Sequence, residues 1–230
     1  MPTSQVQYLS DGFTIQAFLA SPDAAPRQAP GIILLHEWWG LNDHIKDVAK
    51  RFAKEGFAVL APDLYSRQGY KVTGIPAEAA KLMGAVSTQG VLRDMNASAK
   101  FLQQQVGVAP FGIGMVGFSM GATFALMVAC HNSDVKAAAA FYGKVPPVET
   151  IRYLLCPVLY HYGAKDDWVT QSEVDLLKEG LAKNGKPGEI KVFPNAAHAF
   201  FNDTRPEAYR PEEASQAWRA SLQFLRRYVR

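Results

Sequence analysis

The amino-acid sequence predicts an α/β protein built on one mainly parallel sheet, with helices on both faces and an antiparallel hairpin at its start. Three observations lead there. Short runs rich in β-formers alternate with amphipathic helical patterns along the whole chain, the order that a parallel sheet with crossover helices requires. Several of those runs, such as Gly31-Ile32-Ile33-Leu34-Leu35-His36, are apolar at nearly every position, as strands covered on both faces are. Residues 6 to 20 instead alternate around the turn dipeptide Asp11-Gly12, which reads as a hairpin. The 230 residues suit a single domain, 1–230, with a substantial core, and no internal repeat or low-complexity segment interrupts them.

The elements follow in order. After the hairpin, a Pro- and Ala-rich loop from Ser21 to Pro30 leads into the strand Gly31–His36, which breaks at Glu37-Trp38-Trp39-Gly40. A helix follows with Ile45, Val48, Ala49, Phe52 and Ala53 on one face, and Gly56 stops it. Phe57 to Ala61 is a short buried strand cut by Pro62, and Asp63-Leu64-Tyr65-Ser66-Arg67 opens a long connection of the kind that covers sites. Helical patterns span roughly Pro76 to Val86 and Gln89 to Gln105. The strand Gly112 to Val116 precedes Ala122 to Ala129, an apolar run that is either a buried helix or a second strand. Val135 to Tyr142 and Pro157 to Tyr162 read as strands ending at Gly143 and Gly163, and Gln171 to Lys183 as a helix closed by Asn184-Gly185. Glu189 to Phe193 is the last strand. Pro211 to Tyr228 is the last helix, with Trp218, Leu222 and Leu225 on one face.

Composition narrows the function classes. A formal net charge of +3 comes from well-mixed signs. The one basic cluster, Arg226, Arg227 and Arg230, closes the last helix, where cations suit the macrodipole, so nucleic-acid binding is not expected. Cys130 and Cys156 stand far apart in apolar surroundings, which predicts buried free thiols and neither a disulfide framework nor a zinc site. The opening Met1-Pro2-Thr3-Ser4-Gln5 has neither the basic start nor the apolar run of a signal peptide, and no stretch approaches eighteen apolar residues. The expectation is a cytoplasmic protein without membrane association.

The chemistry centres on Gly117-Phe118-Ser119-Met120-Gly121, a G-x-S-x-G sequence between a predicted strand and a predicted helix. Composition alone supplies on the order of 0.1 such matches in a chain of this length, so the strand-to-helix context carries the weight. There the glycines relieve the clash of a sharp turn, the hydroxyl projects outward, and a helix N-terminus adds free N–H groups beside it. In a parallel sheet the site forms at the carboxyl ends of the strands. The later strand ends supply acids in Gly163-Ala164-Lys165-Asp166-Asp167 and a histidine in Pro194-Asn195-Ala196-Ala197-His198. Ser119, Asp166 and His198 thus occur in the order nucleophile, acid, base of the α/β-hydrolase fold, with Asp167 as the rival acid. The oxyanion donors expected are the N–H groups of Met120 and Trp38. No cofactor and no metal are expected, because no two histidines have ligand spacing.

These residues resemble the dienelactone hydrolase family. The likeness rests on Glu37-Trp38-Trp39-Gly40, Pro62-Asp63-Leu64-Tyr65, the Ser119 elbow, the G-x-x-D-x-x-V pattern from Gly163 to Val169, and His198-Ala199-Phe200, and it spans nearly the whole chain. The resemblance implies that Asp166 is the acid and His198 the base. It also implies two departures. Well-studied members have cysteine where this chain has Ser119, with a glutamate, matched by Glu37, that engages the thiol. Members that cleave dienelactone hold the substrate carboxylate with arginines, one of them at the position of Asn202. Trp38, Trp39, Tyr65, Tyr142, Trp168, Phe200 and Phe201 are candidates to line an apolar acyl pocket, and Arg67 or Arg205 to replace the missing arginine. The reading is a serine hydrolase of a small ester or lactone, a monomer or weak homodimer. Phosphotriester or thioester hydrolysis on the same triad, or a catalytically silent binding protein of the same fold, are the alternatives.

Overall fold

The computed structural model describes residues 1–23, 28–105 and 107–229. Its centre is an eight-stranded sheet in the order β1-β2-β4-β3-β5-β6-β7-β8. Strands β1 (Thr3–Ser10) and β2 (Phe13–Ala20) form the expected hairpin, and both turn residues, Asp11 (φ 49°) and Gly12 (φ 79°), have positive φ, as a type I′ turn requires. β2 pairs antiparallel with β4 (Ala58–Pro62). Every later pairing is parallel, through β3 (Ala29–Leu35), β5 (Val108–Phe118), β6 (Val135–Phe141), β7 (Val158–Gly163) and β8 (Gly188–Phe193).

The sheet separates two apolar layers, and the continuously apolar strands feed both. In β3, Ile33 and Leu35 face the layer formed with α3 (Thr88–Gln103), α4 (Met120–Ala129) and α6 (Gln171–Lys183). Ile32 and Leu34 face the other, formed with α1 (Asp43–Lys54) and α7 (Pro211–Tyr228). All five residues expected on the inner face of α1 are buried there, and Asn42 caps its start by accepting from Ile45 N–H. Leu222 and Leu225 of α7 are buried as expected, and the Trp218 ring packs 4.3 Å from that of Phe52.

Several boundaries differ from the sequence reading. Pro62 does not cut its strand but ends it, opposite Ala17, and the next amide, Asp63 N–H, continues the pairing to Gln16 O at 2.8 Å. β3 starts at Ala29, inside the segment expected to be loop; residues 24–27 of that loop lie outside the described residues. β5 is longer than Gly112–Val116 because its first residues also pair, Val108 opposite Ala29, across a register shift. Helix α2 (Pro76–Gly84) ends two residues early, and α5 (Val148–Ile151) is a single turn too short for periodicity to reveal. The run after the elbow is a helix, α4, rather than a second strand. Cys130 and Cys156 are free and buried, and burial pushes their thiols up to about 11 and about 12. Arg226 reaches Glu55 across the fold at 2.7 Å, while Arg230 lies outside the described residues. No helix among the described residues is long and apolar enough to cross a membrane.

Candidate active site

The carboxyl ends of β3, β5, β6 and β7 and the loop after β8 converge on one place. Ser119 sits between β5 and α4 with φ 51° and ψ −119°, a conformation that costs a non-glycine residue roughly 1–3 kcal/mol and persists only where the surroundings impose it. They do so through backbone contact. A Cβ on Gly117 would lie 2.3 Å from Gly121 O, and one on Gly121 would lie 2.5 Å from Leu35 O, so glycine alone lets α4 start this close to the ends of β3 and β5. Ser119 N–H donates to Phe141 O at 2.9 Å, which anchors the turn to β6.

Ser119 Oγ lies 2.9 Å from His198 Nε2, and His198 Nδ1 lies 2.8 Å from Asp166 Oδ2. Asp166 comes three residues after β7 ends, in a tight turn that it makes itself: its Oδ1 accepts Trp168 N–H (2.8 Å) and Val169 N–H (2.9 Å). The other oxygen is thereby aimed at the imidazole. The Asp166 side chain is fully buried while that of His198 is 25% exposed, so the acid is fixed and the base meets solvent. Tyr142 and Trp168 stand edge-on to the imidazole, with ring centres 5.1 and 5.0 Å away. Asp167, the rival acid, is exposed and makes no side-chain hydrogen bond among the described residues.

Glu37 lies buried beside this relay. Tyr142 O–H donates to its Oε1 at 3.2 Å, and Asn202 Nδ2–H donates to its Oε2 at 2.7 Å. Burial first, and the adjacent Glu37 next, raise the Tyr142 phenol well above its ordinary value, which keeps it a donor. The Asn202 oxygen accepts from Thr204 N–H and Thr204 O–H, which turns its amide nitrogen toward Glu37. A brace that sequence reasoning missed holds this loop to α1: Asp203 accepts from Arg51 and lies 3.2 Å from His44 Nδ1. No local pattern announces it, because the partners are more than 150 residues apart.

The remaining candidates divide. Trp38, Trp39 and Trp168 are half-buried at the rim. Trp39, Asn42, Thr73, Asn202 and Arg205 line a cleft of about 430 Å³. The connection after β4 reaches it, Thr73 N–H donating to Trp39 O at 3.1 Å. Phe200, Phe201, Tyr65 and Tyr142, expected as pocket walls, are buried in the core. Phe200 packs on Phe193 and Tyr142, and Phe201 on Phe118 and Phe141. Their positions at strand ends read as site positions, but Tyr142, Phe200 and Phe201 are taken into the layer formed with α1 and α7, and Tyr65 into the opposite one. Arg67 is also displaced from its expected place: its guanidinium makes a two-point pair with Asp94 of α3, at 2.9 and 2.7 Å, and lies over the Phe13 ring. Arg205 pairs with Glu207 and lies over Trp39, its centre 5.2 Å from the ring. Among the described residues, no three His, Cys, Asp or Glu side chains group to hold a metal ion.

Chemically, the arrangement offers a hydroxyl bonded to an imidazole, whose far nitrogen is held by a buried carboxylate, next to a helix N-terminus. That is the equipment for moving a proton off a serine as it attacks an electrophilic carbon.

Comparison with known proteins agrees in kind. Residues 15–229 match the dienelactone hydrolase family. A provisionally named carboxymethylenebutenolidase of Methylorubrum extorquens is 34% identical over 96% of this chain and 79% of its own. The crystal structure of a provisionally named dienelactone hydrolase from Klebsiella pneumoniae superposes with a TM-score of 0.93 at 31% identity, over 99% of each chain. P91, a dienelactone hydrolase-like promiscuous phosphotriesterase from metagenomic libraries, shares the fold with a TM-score of 0.90 at 20% identity, over 100% of this chain and 99% of its own.

Proposed function

The chain belongs to the dienelactone hydrolase family of carboxylic ester hydrolases, and on that premise we propose that it cleaves a small neutral ester or lactone through an acyl-enzyme on Ser119. The observation that carries the proposal is the unbroken path from Ser119 Oγ through His198 to Asp166, with bonds of 2.9 and 2.8 Å. In the proposed reaction Ser119 Oγ attacks the carbonyl carbon as its proton passes to His198 Nε2. The carbonyl oxygen gathers negative charge and is received by the N–H groups of Trp38 and Met120, neither of which has a partner among the described residues. The intermediate collapses, the C–O bond to the alcohol breaks, and His198 returns the proton to the departing oxygen. A water molecule then gives its proton to His198 and attacks the acyl carbon; the bond from that carbon to Ser119 Oγ breaks, His198 returns the proton to Oγ, and the acid leaves. Asp166 holds the imidazole in one orientation and stabilises its cationic form in both halves.

The preference for neutral substrates rests on charge. A carboxylate brought into a partly dry site needs a charged partner, and without one it carries a desolvation cost of several kcal/mol. Asn202 is neutral and engaged by Glu37 and Thr204, while Arg67 is engaged by Asp94. Glu37 adds a buried acidic side chain to the same neighbourhood. The same triad can act on thioesters and phosphotriesters, which belong in one assay panel with p-nitrophenyl esters, simple lactones and dienelactone. We also place the enzyme in the cytoplasm, as a single domain acting as a monomer or weak homodimer; two unpaired buried thiols suit a reducing compartment. The test is labelling with a fluorophosphonate alongside turnover of the panel. Loss of both in Ser119→Ala supports the proposal, and ester turnover that survives the substitution sinks it.

A further inference from the structure

The backbone of the Glu37–Trp38 peptide determines where the Trp38 N–H points. In a trans peptide the C=O and N–H groups point in opposite directions, so whatever grips the Glu37 carbonyl also aims the Trp38 N–H. Two groups reach that oxygen: Gly40 N–H at 3.3 Å, closing a turn, and His36 Nδ1 at 2.5 Å. The His36 tautomer follows from its other side. Nε2 lies 2.9 Å from Leu64 N, a group that can only donate, so Nε2 accepts and the ring proton sits on Nδ1, directed at Glu37 O. The Asp63 carboxylate is farther from Nε2, at 3.4 Å, and its Oδ1 already accepts Tyr65 N–H at 2.9 Å.

The next carbonyl is held too. Tyr65 O–H donates to Trp38 O at 2.8 Å, and the Tyr65 hydroxyl oxygen also lies 3.7 Å from Met120 Sδ. One buried hydroxyl therefore touches both residues whose N–H groups are read as the oxyanion donors. Burial raises the Tyr65 phenol above its ordinary value, and the His36 and Tyr65 rings meet edge-on with centres 5.2 Å apart. Neither side chain has any exposure to solvent, so neither is placed to touch a substrate.

We propose that His36 and Tyr65 are positioning residues for the oxyanion donors: His36 grips the Glu37 carbonyl and so aims the Trp38 N–H at the developing oxyanion, while Tyr65 grips the Trp38 carbonyl, fixes the other end of that residue and touches Met120. The inference rests on the serine-hydrolase reading and deepens it: the loop after β3 is held by the side chain of its own first residue, His36, and by one from the connection after β4, and not by its backbone turn alone. Its energetic leverage is that of an oxyanion donor, whose removal costs about 10²–10³ in kcat, with a misaimed donor costing part of that.

The experiment compares an ester with the matching thionoester, in which sulfur replaces the carbonyl oxygen, for the full chain and for Tyr65→Phe and His36→Asn. Well-aimed N–H donors favour oxygen over the larger, weaker acceptor sulfur, whereas a general loss of folded enzyme or of binding lowers both substrates alike. The expected result in each variant is a fall of about tenfold in kcat on the ester with KM within about twofold, and an ester-to-thionoester ratio smaller by at least about threefold. Endpoint fluorophosphonate labelling counts the competent serines and removes unfolded protein from the comparison. An unchanged ratio, with turnover still dependent on Ser119, overturns the role of His36 and Tyr65 and leaves the serine-hydrolase reading standing. Ester turnover that persists in Ser119→Ala overturns that reading and, with it, the clamp.

Discussion

Among the described residues, two serine–histidine hydrogen bonds have nearly equal length, and they are opposites. Ser119 Oγ lies 2.9 Å from His198 Nε2, and Ser221 Oγ lies 2.8 Å from His161 Nε2. The first pair stands at the carboxyl edge of the sheet, with its imidazole partly in solvent and its second nitrogen held by Asp166. The second lies between β7 and α7, wholly buried, and His161 Nδ1 has no partner among the described residues. Burial drives the His161 imidazole down to about 3, so it stays neutral, and no carboxylate stands ready to stabilise its cation. A hydroxyl bonded to an imidazole is therefore not yet a nucleophile. In the proposed reaction the acid on the far nitrogen, the open face and the helix N-terminus behind the hydroxyl make the difference, and of these two pairs only the first has all three.

The largest expected effect tests this contrast directly. Ser119→Ala or His198→Ala lowers kcat by about 10³ or more and the double variant is barely worse, because both act in one proton transfer. Ser221→Ala leaves kcat within about twofold, its cost falling on stability at about 1–3 kcal/mol because the buried His161 Nε2 loses its partner. Steady-state kinetics with denaturant melts measures both, and multiplicative losses at Ser119 and His198 would break the comparison. Asp166→Asn follows, at roughly 10³–10⁴ in kcat, because an amide can hold the imidazole in the wrong tautomer and the charge behind the imidazolium is gone. A loss no larger than a few-fold would make the buried acid as dispensable to the first pair as its absence is to the second.

Charge selectivity sharpens the picture of the open site. Between a free carboxylate and its methyl ester or amide on otherwise identical lactones, the neutral substrate should show at least about tenfold higher kcat/KM, or 1.4 kcal/mol of transition-state binding. A preference for the acid, abolished by Arg205→Ala, would assign carboxylate recognition to the guanidinium over Trp39. Glu37→Gln is expected to keep activity within about threefold, since Ser119 passes its proton to His198, already backed by Asp166, and needs no second carboxylate. In a Ser119→Cys background the same change should cost more, because thiol protonation responds to a nearby charge. Equal losses in the two backgrounds would give Glu37 another task.

The smallest effect belongs to the closed pair. The unfolded chain protonates His161 near its ordinary value of 6.5, whereas the native state holds it neutral down to about 3. Between those values the unfolded state binds the extra proton, so the stabilisation is fully present above pH 6.5 and drains away as pH falls toward 3. Urea melts across that window should show the decline, and a His161→Phe variant should show a shallower one. Equal slopes would mean that other groups carry the acid sensitivity.

The sequence by itself determined the features whose physics is local. Continuous apolar runs mark strands covered on both faces, glycines at 117 and 121 mark a turn too tight for a Cβ, and the spacing of Asp166 from Gly163 lets one carboxylate oxygen cap its own turn while the other points away. The eight strands were therefore readable one by one, and so was the order of the three relay residues. Their neighbours in the sheet were not. Parallel pairing joins residues far apart in the chain, and nothing local says that β4 lies between β2 and β3. For the same reason Arg67 reads as a free cation until Asp94 arrives on α3, and Phe200 reads as a pocket wall until Tyr142 and Phe193 close around it. His36 reads as the end of an apolar strand, because only the folded chain brings Leu64 N–H to one of its nitrogens and Glu37 O to the other. The sequence specifies what each residue can donate, accept or bury; only the tertiary structure decides which distant group receives it.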